Sequence, residues 1–474
     1  MFGFLKKKQV HIVSGRTVFG INDRVVVPSG ITAVRTNVAD SGCLLIESGG
    51  TAVETSVSGG GRIIVSEGGT AIETSVSGGG RIIVSEGGTA IETSVSGGGR
   101  IIVSGGTAAK TTIATGGVLF VESGGTVTDL ETEKKVFLNF GITPDTCIRG
   151  TSDGKPIDIK NGYVSGMEQH CGTIDVSSGC TVVKTNCIPT SPYSIIWLTS
   201  FNVSSGGTAI GTIVSEGGIG VFRGGTATDF EMKENTHFIF VVAPDTYIRG
   251  TSDGKPIDIK NGYVSGFELH QTFEDLIIES GGTAVGTTVS KGQLTIKSGG
   301  TAVGTTVSRG SIVVSSGGTA VGTTVSSGSI VVSSGGTAAD FEMDKEASFH
   351  FVLAPGTYVR GTSDGSSVDV RNGYVSGLRI ISGQLTIESG GTAEDTSLDR
   401  NAFLTVSSGG TAINPRAENI GDHVTIFSDG VELSKDDRYC SEIHLEQGAV
   451  VIFTKDTNED AGITSPDSAT DATT

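Results

Sequence analysis

Apolar and polar residues alternate along most of this chain in short runs, and the runs repeat. From Thr301 one unit reads TAVGTTVSRGSIVVSSGG, and superposing the other units on it separates fixed positions from free ones. Thr, Ala, a second Thr four residues after the first and an apolar residue two further on recur in nearly every unit. Gly-Gly-Thr followed by Ala, or once by Val, occurs thirteen times, and in uninterrupted stretches it returns every 18 or 19 residues. A period too short for a pair of helices and rich in Val, Ile and Thr predicts a solenoid, each coil of which buries its apolar side chains only against its neighbours.

The pattern within a unit predicts the geometry of a coil. Residues two apart on a strand point the same way, so Ala302 faces inward on the first side and Thr305 and Val307 face inward on the second. The two residues between Ala and the second Thr vary freely and are Glu394-Asp395 in one unit. Adjacent carboxylates are too costly to bury unpaired, so this dipeptide is an outward corner. Ser-Arg-Gly makes a second corner, Ile312-Val313-Val314 a third side, and the Gly-Gly pair closes the coil because glycine takes positive φ without steric penalty. The fold class is therefore all-β, a parallel β-helix of triangular coils. Stacking puts Thr55, Thr74 and Thr93 in one column and Val57, Val76 and Val95 in another. A flexible linker is the alternative for so Gly-rich a chain, but linkers lack a retained Val/Ile alternation and have no use for a fixed period.

A longer repeat is laid over the short one. Residues 124–170, 224–270 and 335–380 are three versions of one block, each with an Arg-Gly-Thr-Ser-Asp-Gly run and an Asn-Gly-Tyr-Val-Ser-Gly run. Each reads as an insertion of more polar coils, with aromatic-apolar strands such as Phe238-Ile239-Phe240 lining a wider core. The domain organisation that follows is a capping segment at 1–44, short-repeat coils at 45–128, a first long block at 129–170 and a non-repetitive Cys-containing insert at 171–202. Short coils follow at 203–228, a second block at 229–270, coils at 271–339, a third block at 340–380 and coils at 381–412. Capping coils at 413–455 and a disordered acidic Ser/Thr tail at 456–474 complete it.

Candidate chemistry concentrates in the blocks. Arg149, Asp153 and Tyr163 recur as Arg249, Asp253 and Tyr263 and as Arg360, Asp364 and Tyr374. Arginine with aspartates on a β-helix suits polysaccharide lyases and hydrolases, and Asp158 and Lys160 complete a cast for acid, base and charge-stabilising roles. Against this, three equivalent active sites on one chain are rare, and Asp-Gly and Asn-Gly are ordinary tight-turn pairs. The residues are therefore read as turn or glycan-contact positions, with catalytic, cofactor-binding and metal-binding residues read as none.

Composition narrows the partners. A formal charge of −18 opposes nucleic acid and anionic membrane, which require clustered Lys and Arg. Seven histidines show no metal-ligand spacing, and the units lack the aspartate that calcium-binding β-rolls carry in every turn. Six cysteines, Cys43, Cys147, Cys171, Cys180, Cys187 and Cys440, are too few for a disulfide framework, though one bridge among Cys171, Cys180 and Cys187 or three buried thiols both fit. Met1 to Lys8 has no apolar core of a secretory signal, and no stretch reaches the length of a membrane helix.

The units SSGGTAVGTTVSSGSIVVSSGGTA resemble the 18–19-residue repeats of AIDA-type autotransporter adhesins, the self-associating and diffuse-adherence passengers of Gram-negative bacteria. The resemblance covers most of 45–128, 203–228, 280–340 and 385–412, and not the blocks. It implies a right-handed parallel β-helix at the cell surface or secreted, acting in adhesion to host cells or matrix, to glycans or to itself, and in virulence. It also implies modification by a heptosyltransferase at corner residues such as Ser308, Ser326 and Ser327. The chain departs from the family pattern in showing no leader and no translocator barrel. A non-enzymatic adhesin is the functional expectation, with a carbohydrate-active β-helix enzyme and a structural spacer or fibre as alternatives.

Overall fold

The structure, a computed structural model, describes residues 11–188, 199–417, 424–428, 431–432 and 441–452. Trp197, Cys440, the Met1–Lys8 segment and the tail from residue 456 lie outside them. Every regular element among the described residues is a β-strand, and the strands stack in parallel as a β-solenoid. Contacts divide the chain into two units, residues 1–240 with 245–260 and residues 241–244 with 261–474.

In the second unit the coil at Thr301 has three sides, Thr301–Val303, Thr306–Val307 and Ser311–Val314. Ala302, Thr305, Val307, Ile312 and Val314 are buried, the inward set expected from the alternation. Like stacks on like: Ala302 pairs with Ala320, Val307 with Val325 and Ile312 with Ile330. The first unit repeats the arrangement, Ile63, Ile82 and Ile101 forming one buried column and Val57, Val76 and Val95 another. Each buried Val or Ile contributes about 1.5–3 kcal/mol, but only when coils above and below cover it.

The Gly-Gly corner fixes the register, and its two glycines do so for different reasons. The first, at Gly49, Gly68, Gly87, Gly299 or Gly317, has φ between +69° and +73°, the left-handed region that a side chain strains. Its N–H donates to the carbonyl of the corresponding glycine one coil on, 2.9 Å from Gly49 to Gly68 and 2.8 Å from Gly299 to Gly317. The second glycine lies against the backbone of the preceding coil: a Cβ on Gly300 would sit 2.5 Å from the Ile278 carbonyl oxygen, and one on Gly88 2.5 Å from that of Val65. Positive φ thus accounts for only half of the motif.

The outward corner between the first two sides also turns through the left-handed region. Its residue is Gly304 or Gly322 in late coils and Glu54, Glu73 or Glu92 in early ones, the glutamates at φ between +51° and +56°. Behind that corner runs the threonine column. Thr55, Thr74, Thr93, Thr287, Thr305 and Thr323 are buried, and their hydroxyls have no hydrogen-bond partner among the described residues.

Aromatic cores mark the second and third blocks. Phe238 and Phe240 stack at 4.4 Å with Phe230 edge-on to Phe240, and Phe349, Phe351 and Phe341 repeat the cluster in the second unit. Leu138, Phe140 and Leu130 fill the equivalent places in the first block. Residues 172–187 continue the stack, Gly172–Val176 pairing in parallel with Phe140–Ile142. Cys171, Cys180 and Cys187 are buried, and burial pushes the Cys187 thiol up to about 12, far from a reactive thiolate.

Candidate functional site

The three blocks do more than add polar coils: each folds an antiparallel hairpin into a parallel wall. In the first, Cys147–Ser152 stacks in parallel on Thr126–Thr132. The chain then reverses at Asp153-Gly154, and Lys155–Ile159 runs back along it, pairing Ser152 with Lys155 and Arg149 with Asp158. A second reversal at Asn161-Gly162 returns the chain to the forward direction, with a bridge between Lys160 and Tyr163. The third block repeats the switchback, with Ser363 opposite Ser366, Arg360 opposite Asp369 and Arg371 opposite Tyr374. In the second block the hairpin of the first unit pairs Ser252 with Lys255 and Arg249 with Asp258.

Turn chemistry dictates these reversals. Asp153, Asp253 and Asp364 all have φ +48°, followed by Gly154, Gly254 and Gly365 at +72° to +74°. Positive φ at both central residues is the geometry that two-residue hairpins prefer, and Asp-Gly and Asn-Gly are its favoured occupants. Alternation then sets the faces: Ile148, Ile157 and Ile159 are buried, leaving Arg149, Asp158 and Lys160 outward.

The outward face is an ion-pair cluster. Asp158 lies 3.5 Å from Arg149 and 3.1 Å from Lys160, and Asp153 lies 3.4 Å from Lys134. In the second block Lys260 donates to Asp258 at 2.9 Å, a hydrogen bond that with the attraction of the carboxylate raises the lysine pKa. In the third, Arg371 grips Asp369 through two hydrogen bonds of 2.8 Å, which hold that carboxyl below its ordinary range. Of the residues that the sequence groups with Arg149, namely Asp153, Asp158 and Lys160, the structure sets Asp158 opposite it, as it sets Asp258 opposite Arg249 and Asp369 opposite Arg360. It leaves Asp153, Asp253 and Asp364 at the turn tips. The cation before Asn-Gly, Lys160, Lys260 or Arg371, is the recurring partner missed in the third copy, although its charge is kept in all three.

Tyr163, Tyr263 and Tyr374 are 47%, 48% and 45% exposed, so each copy presents its tyrosine to solvent to the same extent. The Tyr374 hydroxyl donates to Glu394, which raises its pKa. At the corners of the short coils, Ser308 and Ser326 are half-buried and Ser327 is exposed, its hydroxyl donating to the Ser308 carbonyl. No group of His, Cys, Asp and Glu that could hold a metal ion occurs among the described residues, and they contain no helix long and apolar enough to cross a membrane.

No family model matches the chain, and no curated protein matches it. Among solved structures, a TibA fragment, residues 55–350, hyper-glycosylated by TibC, is 20% identical and covers 93% of this chain and 99% of its own, with a TM-score of 0.24. The surface protein and adhesin PfbA of Streptococcus pneumoniae is 8% identical over 91% of each chain, with a TM-score of 0.10.

Proposed function

We propose that this protein is a non-enzymatic, adhesin-like β-solenoid, at the cell surface or secreted, that attaches to host-cell or matrix surfaces, to glycans or to copies of itself. The observation that carries the reading is the threefold repetition of one outward face, an arginine opposite an aspartate with an exposed tyrosine following. Copies of a weak site on one chain gain affinity by acting together, whereas a second and third copy of an active site add only rate. The carboxylates also suit contact better than hydrolysis. Glycoside cleavage needs an acid and a base flanking one bond, and here Asp158, Asp258 and Asp369 are each engaged by a cation.

The resemblance of the short units to AIDA-type repeats supports the same reading and adds Ser308, Ser326 and Ser327 as acceptors for a heptosyltransferase. Purified protein tested on cells, matrix proteins and a glycan panel, with cleavage products followed in parallel, checks the proposal. Saturable retention without product is the expected result. Product release would move the protein to the carbohydrate-active enzymes, and absence of both would leave a spacer.

A further inference from the structure

In the first run of short coils the outer face of the third wall carries two columns. Arg62, Arg81 and Arg100 stand in register, and two residues further along the same strands stand Ile64, Ile83 and Ile102. Leu45 and Phe120 extend the apolar column by one coil at each end. The arginines are exposed and the isoleucines half-buried.

Among the described residues no carboxylate lies within ion-pair distance of Arg62, Arg81 or Arg100, while nearby Arg35 and Lys110 hold Glu54 and Glu92 at 2.7 and 2.9 Å. The coil itself does not call for a cation there, because Gln293, Ser311 and Ser329 occupy the equivalent register position in the second unit. Backbone register therefore sets three arginine Cα positions one strand spacing apart, about 4.8 Å, so that like charges rise from neighbouring strands, an arrangement that a bridging anion relieves.

We infer that this strip binds a linear acidic polysaccharide, with sulfate or carboxylate groups on successive sugars. Charges spaced one per sugar match a ladder spaced one per strand. Arginine binds such groups bidentately, and the C–H faces of the sugars pack on the isoleucines. The strip is one residue wide, and Glu67 and Glu86 stand exposed in the turns just past the ends of the strands that begin at Arg62 and Arg81. Those carboxylates repel a broad anionic surface such as a bilayer and leave room for a single chain laid across the strands. The strip lies outside the blocks, so the adhesive reading of the blocks and this inference fail separately.

The test is titration of the full chain with heparin, with polygalacturonate, with neutral dextran and with phosphatidylglycerol vesicles, at low and high salt. The wild type binds one or both acidic polysaccharides, more weakly as salt rises, and does not bind dextran. Replacing Arg62, Arg81 and Arg100 together by Gln lowers the affinity at least tenfold with an unchanged circular dichroism spectrum, and replacing them by Lys restores most of it. Alanine at Gln293, Ser311 and Ser329, the equivalent positions of the second unit, leaves it unchanged. No binding to either polysaccharide, equal binding by the Gln variant, or vesicles binding as well as heparin would overturn the inference.

Discussion

Neighbouring glycines in the closing corner respond differently to the same substitution. Gly299→Ala forces a methyl-bearing residue to hold φ +73°, with the added Cβ 2.7 Å from the Ser280 hydroxyl, which can turn away, and 3.1 and 3.2 Å from its Cβ and Cα, which need give only slightly. The penalty is that of one left-handed residue, about 1–2 kcal/mol. Gly300→Ala is more severe because its Cβ meets backbone: 2.5 Å to the Ile278 oxygen is 0.9 Å short of the 3.4 Å at which ordinary contact begins. The coil has no soft direction in which to yield. Lys297 N–H donates to the Ile278 carbonyl at 2.8 Å and Gly300 N–H to the Lys297 carbonyl at 2.9 Å, and both bonds stretch if Gly300 and the Ile278 carbonyl are pushed apart. Losing two hydrogen bonds and part of the packing of Ile278 and Ile296 amounts to roughly 3–5 kcal/mol. Amide hydrogen exchange is the suitable assay, since a solenoid opens locally and not as one unit. Gly300→Ala is expected to accelerate exchange across residues 283–314 far more than Gly299→Ala. Equal effects, or the reverse order, would refute the assignment of separate roles.

Thr305→Val removes a buried hydroxyl that has no partner, and each such substitution in the column raises stability by about 1 kcal/mol, measured as a higher urea midpoint. A lower midpoint would reveal a hydrogen bond at that hydroxyl. Phe349→Ala opens a cavity beneath Phe351 and destabilises the third block by about 3–5 kcal/mol, read as loss of exchange protection over residues 348–363. Burial lowers the pKa of His237 and of His350 below the ordinary 6.5. The unfolded chain then takes up protons first as pH falls, so this contribution to stability is complete above 6.5 and declines below it. Replacing both histidines by Gln flattens the acid limb of the stability profile, and an unchanged limb counts against the assignment.

The short coils were legible in the sequence because each position has a single job that its residue type announces. Ala302, Val307 and Ile312 must be apolar to stack, Gly299 must turn and Gly300 must be bare, so the period and the inward faces follow from composition alone. The blocks were less legible because a hairpin and a polar coil share an alphabet. Ile157 and Ile159 alternate with outward polar residues just as a parallel strand would, and only paired Asp-Gly and Asn-Gly turns, eight residues apart, signal the reversal. The ion pairs depend on that topology. Arg149 is nearer in sequence to Asp153 than to Asp158, and only antiparallel register makes Asp158 its neighbour. The arginine strip escaped notice for a related reason, since Arg62, Arg81 and Arg100 are 19 residues apart and become adjacent only when the coils stack.

The central functional claim is that three equivalent faces act together, and graded removal of those faces tests it most directly. Attachment of the full chain to its best surface would be measured for Tyr163→Ala, Tyr263→Ala and Tyr374→Ala singly, in pairs and all together. Shared contact predicts a stepwise decline, several-fold for each single change and more than about 100-fold for the triple variant, since avidity multiplies weak sites by that order. Full attachment by the triple variant, or complete loss from any one substitution, would contradict it.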